Sequence, residues 1–258
     1  MYKLKKLIEK ISPNFSRKIF YKINSIRFKG DKNYCPLCEK GYSKFLTGPD
    51  KSRINSKCPG CGSLERQRLL WLYLTNKLEI KNRKIILLNV APDYATQIAL
   101  QRLTNISYTS VDLNSSLATK KNDITNLEFK DSHFDAIICY HVLEHIENDI
   151  KALSELHRVL KPGGWAILQS PVDTDRAVTF EDSNVYAPEE RKELFGQEDH
   201  VRIYGCDYTN RLEEAGFLVN EDIFVKELTD GEKEKYLLDK NEVIYLCTKS
   251  GLHRNQID

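Results

Sequence analysis

The sequence predicts an α/β protein: a mostly parallel sheet with helices on both faces, plus a small N-terminal module built around cysteines. Three observations carry this. From residue 84 onward, short apolar, β-branched runs alternate with amphipathic helical stretches, as when parallel strands are joined by crossover helices. Between residues 31 and 62, four cysteines fall in two tight pairs, in a stretch too poor in periodic apolar residues to make a core. One long polar stretch, residues 173–205, has no sustained periodicity; inside a compact domain such a segment is usually a lid or a binding loop.

Composition bounds the rest. The 258 residues, 41% hydrophobic and 10% aromatic, suffice for one ordinary domain with an appendage. No apolar run approaches the ~18 residues of a membrane span, and the N-terminus lacks the apolar block and cleavage site of a signal peptide. The chain therefore reads as cytoplasmic. Its net charge of +2 hides an asymmetry: residues 1–30 carry nine Lys/Arg and one acid, Glu9, while the remainder carries 30 basic and 36 acidic residues, a net of −6. An acidic body disfavours a large nucleic-acid surface.

The elements follow in order. In residues 1–30, Leu4, Leu7, Ile8, Ile11, Phe15 and Ile19 recur at helical spacing among Lys and Arg, with Pro13 expected to interrupt the pattern. This basic amphipathic segment suits either peripheral contact with an anionic membrane or packing on the body with a solvated basic face. Residues 31–80 form the cysteine module and a connecting helix, "SLERQRLLWLYLTNKL", for which Ser63 is the expected N-cap. Residues 81–258 form the main domain. "KIILLNV", "ISYTSVDL" and "FDAIICYH" are its first strands, with a helix at about 94–103 between the first two. "NDIKALSELHRVL" is an amphipathic helix that "KPGG" should stop before the strand "WAILQSPV". "YTNRLEEAGF" reads as a helix with a Gly stop, and "LVNEDIFVKEL" and "EVIYLCTKS" as the last strands.

Cys35-Pro-Leu-Cys38 and Cys58-Pro-Gly-Cys61 are separated by 19 residues. Each pair can grip one metal ion as thiolates, and two pairs complete a tetrahedral four-sulfur site. With every position filled by protein, the expected ion is a structural Zn²⁺, which replaces the core that the segment cannot build. Cys139 and Cys247 lie in apolar runs, where buried free thiols are common.

The order of motifs in the main domain is more specific. A strand ends at Val90; the next ends in an acid, Asp112; another acid, Asp123, follows in "NDIT"; then come "FDAIICYHVLEHI" and "LHRVLKPGG". This series resembles the class I S-adenosylmethionine-dependent methyltransferases, in particular the "type 11" methyltransferase domain, over about residues 82–250. The resemblance implies a Rossmann-like fold and an S-adenosylmethionine cofactor. It implies that Asp112 takes the ribose diol and that Asp123 and Ile124 take the adenine. The turn with Asn89, Ala91 and Pro92 should hold the methionine moiety, and Cys139, Tyr140 and His141 should line the pocket near the sulfonium. Two departures stand out. The Gly-rich turn of the family is here the glycine-free "NVAPDYA", and only ten residues separate Asp112 from Asp123, too few for the usual crossover helix.

Methyl transfer from a sulfonium is an in-line displacement in which the protein mainly orients and desolvates the reactants. A hydroxyl acceptor also needs a base. The polar groups available are His141, Glu144, His145, Asp182, His200 and Tyr204. "HVLEH" has the look of a zinc or base motif; within it His145 reads rather as a positioning residue and His141 as the one facing the pocket. In "FGQEDHVRIYG", His200, Arg202 and Tyr204 are expected to face the acceptor, with His200 as base. The acceptor reads as a small molecule or glycan, and the layout resembles methyltransferases of bacterial cell-surface polysaccharide synthesis. Two other readings compete. One is an RNA methyltransferase, since a family of ribosomal-RNA guanine methyltransferases also carries an N-terminal four-ligand zinc module. The other is a zinc-stabilised scaffold with a lapsed cofactor site. The sequence gives no oligomeric state.

Overall fold

The computed structural model describes residues 13–48 and 53–251; most of the basic apolar repeat expected before Pro13 lies outside them. In chain order the helices are α1 (Pro13–Arg27), α2 (Glu65–Leu72), α3 (Tyr94–Gln101), α4 (Asp149–Val159), α5 (Pro188–Phe195), α6 (Tyr208–Glu214) and α7 (Asp230–Tyr236). The strands are β1 (Lys29–Cys35), β2 (Lys40–Tyr42), β3 (Ile85–Val90), β4 (Ile106–Asp112), β5 (Lys120–Lys121), β6 (Phe134–Tyr140), β7 (Leu160–Gln169), β8 (Phe180–Glu181), β9 (Arg202–Ile203), β10 (Leu218–Asp222) and β11 (Ile244–Thr248). Among the described residues no helix is long and apolar enough to cross a membrane.

These elements group into two compact units. The division is not the single cut near residue 81 that the sequence suggests. The first unit takes the described residues up to Lys81 together with Tyr94–Arg102 and Ile223–Glu242, so α3 and α7 belong to it. The second takes Asn82–Asp93, Leu103–Asp222 and the segment from Val243.

In the first unit, β1 and β2 form an antiparallel hairpin that pairs Cys35 with Lys40. Around it a small core forms from the α2 side chains Leu69, Leu70 and Trp71 and from Tyr73, Leu74 and Ile80, all buried. The expected N-cap of α2 is corrected: the cap is Leu64, whose N–H donates to the Gln67 side chain at 2.8 Å. Ser63 is instead buried, its hydroxyl 3.3 Å from both Cys35 Sγ and Cys61 Sγ. Beyond Leu72 the helix widens into one π turn over Tyr73–Lys77.

Arg68 is the least expected residue of this unit. It is fully buried, and its guanidinium donates to the carbonyls of Ser56, Ser63, Tyr236 and Leu237 at 2.6–2.9 Å. Burial lowers its pKa from the ordinary arginine value. A buried charge persists only where hydrogen bonds replace its hydration. Here four backbone oxygens do so, and they join the second cysteine loop to the end of α7.

The second unit is a seven-stranded sheet in the order β10-β11-β7-β6-β3-β4-β5. The five strands from β7 to β5 run parallel, and β11 pairs antiparallel with both β7 and β10. This is the mostly parallel sheet that the alternation predicts, in the Rossmann-like form that the resemblance implies. β3 and β6 read as nearly continuous apolar runs, interrupted by Asn89 and Asp135, because their residues are almost all buried. Leu153, Leu156 and Val159 of α4 pack in one cluster with Leu88, Ile137, Leu168 and Cys247 of the sheet.

One boundary differs from expectation. "KPGG" does not separate α4 from its strand; it is the start of the strand, since β7 begins at Leu160 with a register shift against β6. Gly164 belongs there because a side-chain carbon would sit 2.9 Å from the Asp135 carbonyl. The α4 C-terminus is closed from elsewhere: Lys249 Nζ donates to the carbonyls of His157 and Leu160 at 2.7 and 2.9 Å. The connection after β4 holds no helix. Thr119 and Ser110 bind each other's backbone, and β5 is only two residues long.

Candidate functional site

The parallel strands bring three loops to one edge of the sheet. β3 is flanked by β4 on one side and β6 on the other, so the ends of the three strands are neighbours. The chain leaves β3 toward β4 and later returns on its opposite side at β6. That reversal is where open α/β sheets bind ligands.

The turn after β3 answers the absence of glycine. Ala91 has φ +46°, and its N–H donates to the Val111 carbonyl at 2.8 Å. The left-handed backbone usually reserved for glycine is thus held by a residue with the smallest side chain, at a cost of roughly 1–2 kcal/mol. Strain of this order persists at sites where the surroundings impose it. Pro92 is buried and Asp93 half-buried in the same turn. Asn89 is also buried, and its Nδ2 donates to the Tyr108 hydroxyl at 3.0 Å. Burial pushes the Tyr108 phenol up to about 12, so it stays neutral.

Asp112 ends β4, half-buried. Its Oδ1 accepts from the N–H groups of Asn114 and Ser115, both at 2.7 Å, and shapes the turn with one oxygen. Asp123 is exposed and ties its own turn, with Oδ1 accepting from the Thr125 backbone and hydroxyl at 2.8 and 2.9 Å. Ile124 beside it is buried.

After β6, Tyr140 is half-buried, and His141 has φ +58° with its N–H donating to the Gln169 carbonyl at 2.7 Å. His141 Nδ1 lies 3.3 Å from Glu144 Oε1, and its Nε2 is buried without a hydrogen-bond partner among the described residues. Glu144 is itself buried. Burial raises its pKa, but the hydrogen bond and charge of His141 outweigh this and hold it below the usual carboxylate value. Cys139 is the buried free thiol that its apolar run predicts, and departs from the pocket-lining role that the resemblance implies. It is fully buried in the apolar cluster, and burial pushes its thiol far up. It therefore packs the sheet and does not line an open pocket.

Residues 173–205 are more ordered than their sequence suggests. They contain β8, α5 and β9, and β8 pairs with β9. Arg202 and Tyr204 do not face outward, a correction to the expected acceptor contacts. Arg202 is buried; it donates to the carbonyls of Leu143, Ile146 and Glu147 and pairs with Glu181 at 2.7 Å. Tyr204 is fully buried and donates to Asp149 at 2.8 Å; Arg211 pairs with the same carboxylate at 3.0 Å. Both expected contacts are spent on anchoring the segment to α4 and the loop before it. His200 is buried, 3.2 Å from the Phe195 carbonyl, with its ring edge-on to His145. Burial, reinforced by His145, lowers its pKa, which favours the neutral ring. Asp182 is exposed and shapes a local turn with Asn184.

In the first unit the four predicted cysteines converge. Cys35 and Cys61 Sγ are 3.6 Å apart, Cys38 and Cys58 Sγ 3.7 Å, and all four sulfurs lie within 4.8 Å of one another. A tetrahedral zinc with bonds of ~2.3 Å sets its sulfurs ~3.8 Å apart, so the spacing fits. The Gly60 N–H donates to Cys58 Sγ at 3.4 Å, and the Tyr42 hydroxyl lies 3.4 Å from Cys38 Sγ. Burial opposes ionisation of Cys35, but hydrogen bonds from Cys38, Cys58, Cys61 and Ser63 hold its pKa well below the usual thiol value. The same crowding, led by Cys35, raises Cys61. Such a group needs a cation before all four can be thiolates.

With this geometry in place, the relationship to known proteins is clear. Residues 86–168 match the family described as a methyltransferase domain. Over that third of the chain the protein is similar to the class I, S-adenosylmethionine-dependent methyltransferases. A demethylmenaquinone methyltransferase of Bacteroides fragilis is 36% identical over 64 residues, which are 25% of this chain and 26% of the relative. An uncharacterised protein of Methanocaldococcus jannaschii is 48% identical over 46 residues, 18% of this chain and 20% of that one. The matches thus span about a fifth to a quarter of these relatives' length. Among solved structures, an O-methyltransferase family protein from Burkholderia thailandensis shares the fold with a TM-score of 0.50 and 11% identity, covering 73% of this chain and 57% of that one.

Proposed function

We propose that the protein transfers a methyl group from S-adenosylmethionine to a small-molecule or glycan acceptor. The observation that carries this reading is Ala91 at φ +46°, between the acid that ends β4 and the strained His141 that follows β6. The turn keeps the backbone shape of a cofactor turn without its glycines. Asp112 would use its remaining oxygen on the ribose diol, Asp123 and Ile124 would meet the adenine, and Asn89, Ala91 and Pro92 would hold the methionine end. Tyr140 and His141 would lie near the methyl group, with the unpartnered Nε2 of His141 toward the acceptor. The bound cofactor supplies the activated methyl; these residues orient it and exclude water. A structural Zn²⁺ on Cys35, Cys38, Cys58 and Cys61 completes the reading.

The relatives' names bear on the acceptor. The Bacteroides fragilis relative is named a demethylmenaquinone methyltransferase, which adds a small aromatic acceptor to the glycan of bacterial cell-surface polysaccharide synthesis. Calorimetry with S-adenosylmethionine is the first test: the unmutated protein binds, and Asp112→Ala weakens binding at least tenfold. No binding by the unmutated protein would overturn the reading in favour of a zinc-stabilised scaffold. Transfer of labelled methyl to a demethylated quinone, a sugar nucleotide and ribosomal RNA then separates the acceptor classes.

A further inference from the structure

We propose a second metal site, distinct from the four cysteines, formed by Glu144, His145 and His200 and selective for a divalent first-row transition ion such as Zn²⁺. Each residue offers one ligand atom, and the three atoms lie within 4.8 Å of one another. A tetrahedral ion holds nitrogen and oxygen ligands ~3.3 Å apart, a separation that side-chain rotation reaches from this limit.

The surroundings of the two rings point the same way. His145 Nδ1 lies 3.2 Å from the Asp199 carbonyl and 3.3 Å from its carboxylate. His200 Nδ1 lies 3.2 Å from the Phe195 carbonyl. A carbonyl only accepts, so each Nδ1 carries the proton and each Nε2 keeps its lone pair. Metal-binding histidines are oriented in this way, with the second ring nitrogen donating to a carbonyl or carboxylate. Glu144 supplies the anionic ligand from a buried position, steadied by the Ser170 hydroxyl at 3.0 Å. The two segments are joined by the backbone as well, since the Val201 N–H donates to the Glu144 carbonyl at 2.9 Å. Two imidazoles and one carboxylate form a donor set suited to zinc and its neighbours and ill suited to magnesium or calcium.

Three protein ligands leave one position for water or for an oxygen of the acceptor. That use rests on the methyl-transfer reading, because Glu144 touches His141 at 3.3 Å. The ion there would lower the pKa of the coordinated oxygen.

The full chain as purified, its cysteine site loaded, is titrated with Co²⁺ and followed by visible absorption and calorimetry. The expected result is one further equivalent without a thiolate-to-metal band, with affinity reduced at least tenfold in both Glu144→Gln and His200→Gln. Glu144→Gln keeps an acceptor for Ser170, so it remains informative if the histidine variant fails to fold. Absence of the further equivalent in the unmutated chain, or equal binding by a folded variant, overturns the site. S-adenosylmethionine binding is scored separately on the same samples: cofactor binding without the second metal rejects this site alone, and metal without cofactor rejects the methyl-transfer reading alone.

Discussion

At the scale of single residues, buried charges hold the loops in place. Arg68 satisfies four carbonyls, two from the second cysteine loop and two from the end of α7. Replacing it with Leu leaves the Ser56, Tyr236 and Leu237 carbonyls without this donor and Ser63 with only the Cys58 N–H, and each buried carbonyl left unsatisfied costs ~1–3 kcal/mol. Urea unfolding of Arg68→Leu is expected to show that loss, and a change below ~1 kcal/mol would make the guanidinium incidental. His157 sets a pH dependence. Burial, reinforced by Lys249, depresses its folded pKa below 6.5. Between the two values the unfolded chain binds a proton that the folded chain refuses, so stability falls as pH drops from 6.5 through the folded pKa. Melting curves from pH 7.5 to 5 should show this slope, and His157→Gln should flatten it.

At the scale of elements, α1 carries the case for a membrane contact. Ile19, Ile23 and Ile26 are exposed at helical spacing, and Lys18, Lys22 and Arg27 are exposed on the same helix. Apolar side chains among cations fit an anionic lipid surface. Sedimentation with anionic vesicles should retain the full chain and release one lacking residues 1–30; equal, weak binding by both would favour a solvated basic helix. Much of the element pattern was legible in sequence. β3, β4, β6, α4, α6 and β11 lie where their runs of apolar residues place them, because strand and helix periods are local properties. "KPGG" misled because proline and glycine at a helix end look like a stop, whereas the sheet register decides where β7 begins. Residues 173–205 were illegible because their order comes from Arg202, Tyr204 and Arg211 converging on distant backbone and on Asp149.

At the scale of the whole molecule, the proposed zinc on the four cysteines would stand in for the core that their segment cannot build. Full chain treated with a strong chelator should lose one zinc and melt at a lower temperature, with recovery on adding Zn²⁺. Fewer than about half an equivalent of zinc in the purified protein would remove the metal from this account. The chain also returns to the cysteine unit twice after leaving it, through Tyr94–Arg102 and Ile223–Glu242. A linear reading of composition divides the protein once, because it registers where the chain changes character and not which segments later meet.

The sequence by itself determined the α/β class, the four-cysteine set and the acid that ends β4, since each is written in spacing or period along a continuous stretch. Only the tertiary structure decided that Ala91 could take a glycine's conformation, that Tyr204 and Arg202 are anchors, and that His200 meets Glu144 and His145. Those outcomes depend on which backbone and side-chain groups the sheet brings together across some fifty residues of chain. Local propensity carries no record of such meetings; hydrogen bonding and burial at the point of contact determine them.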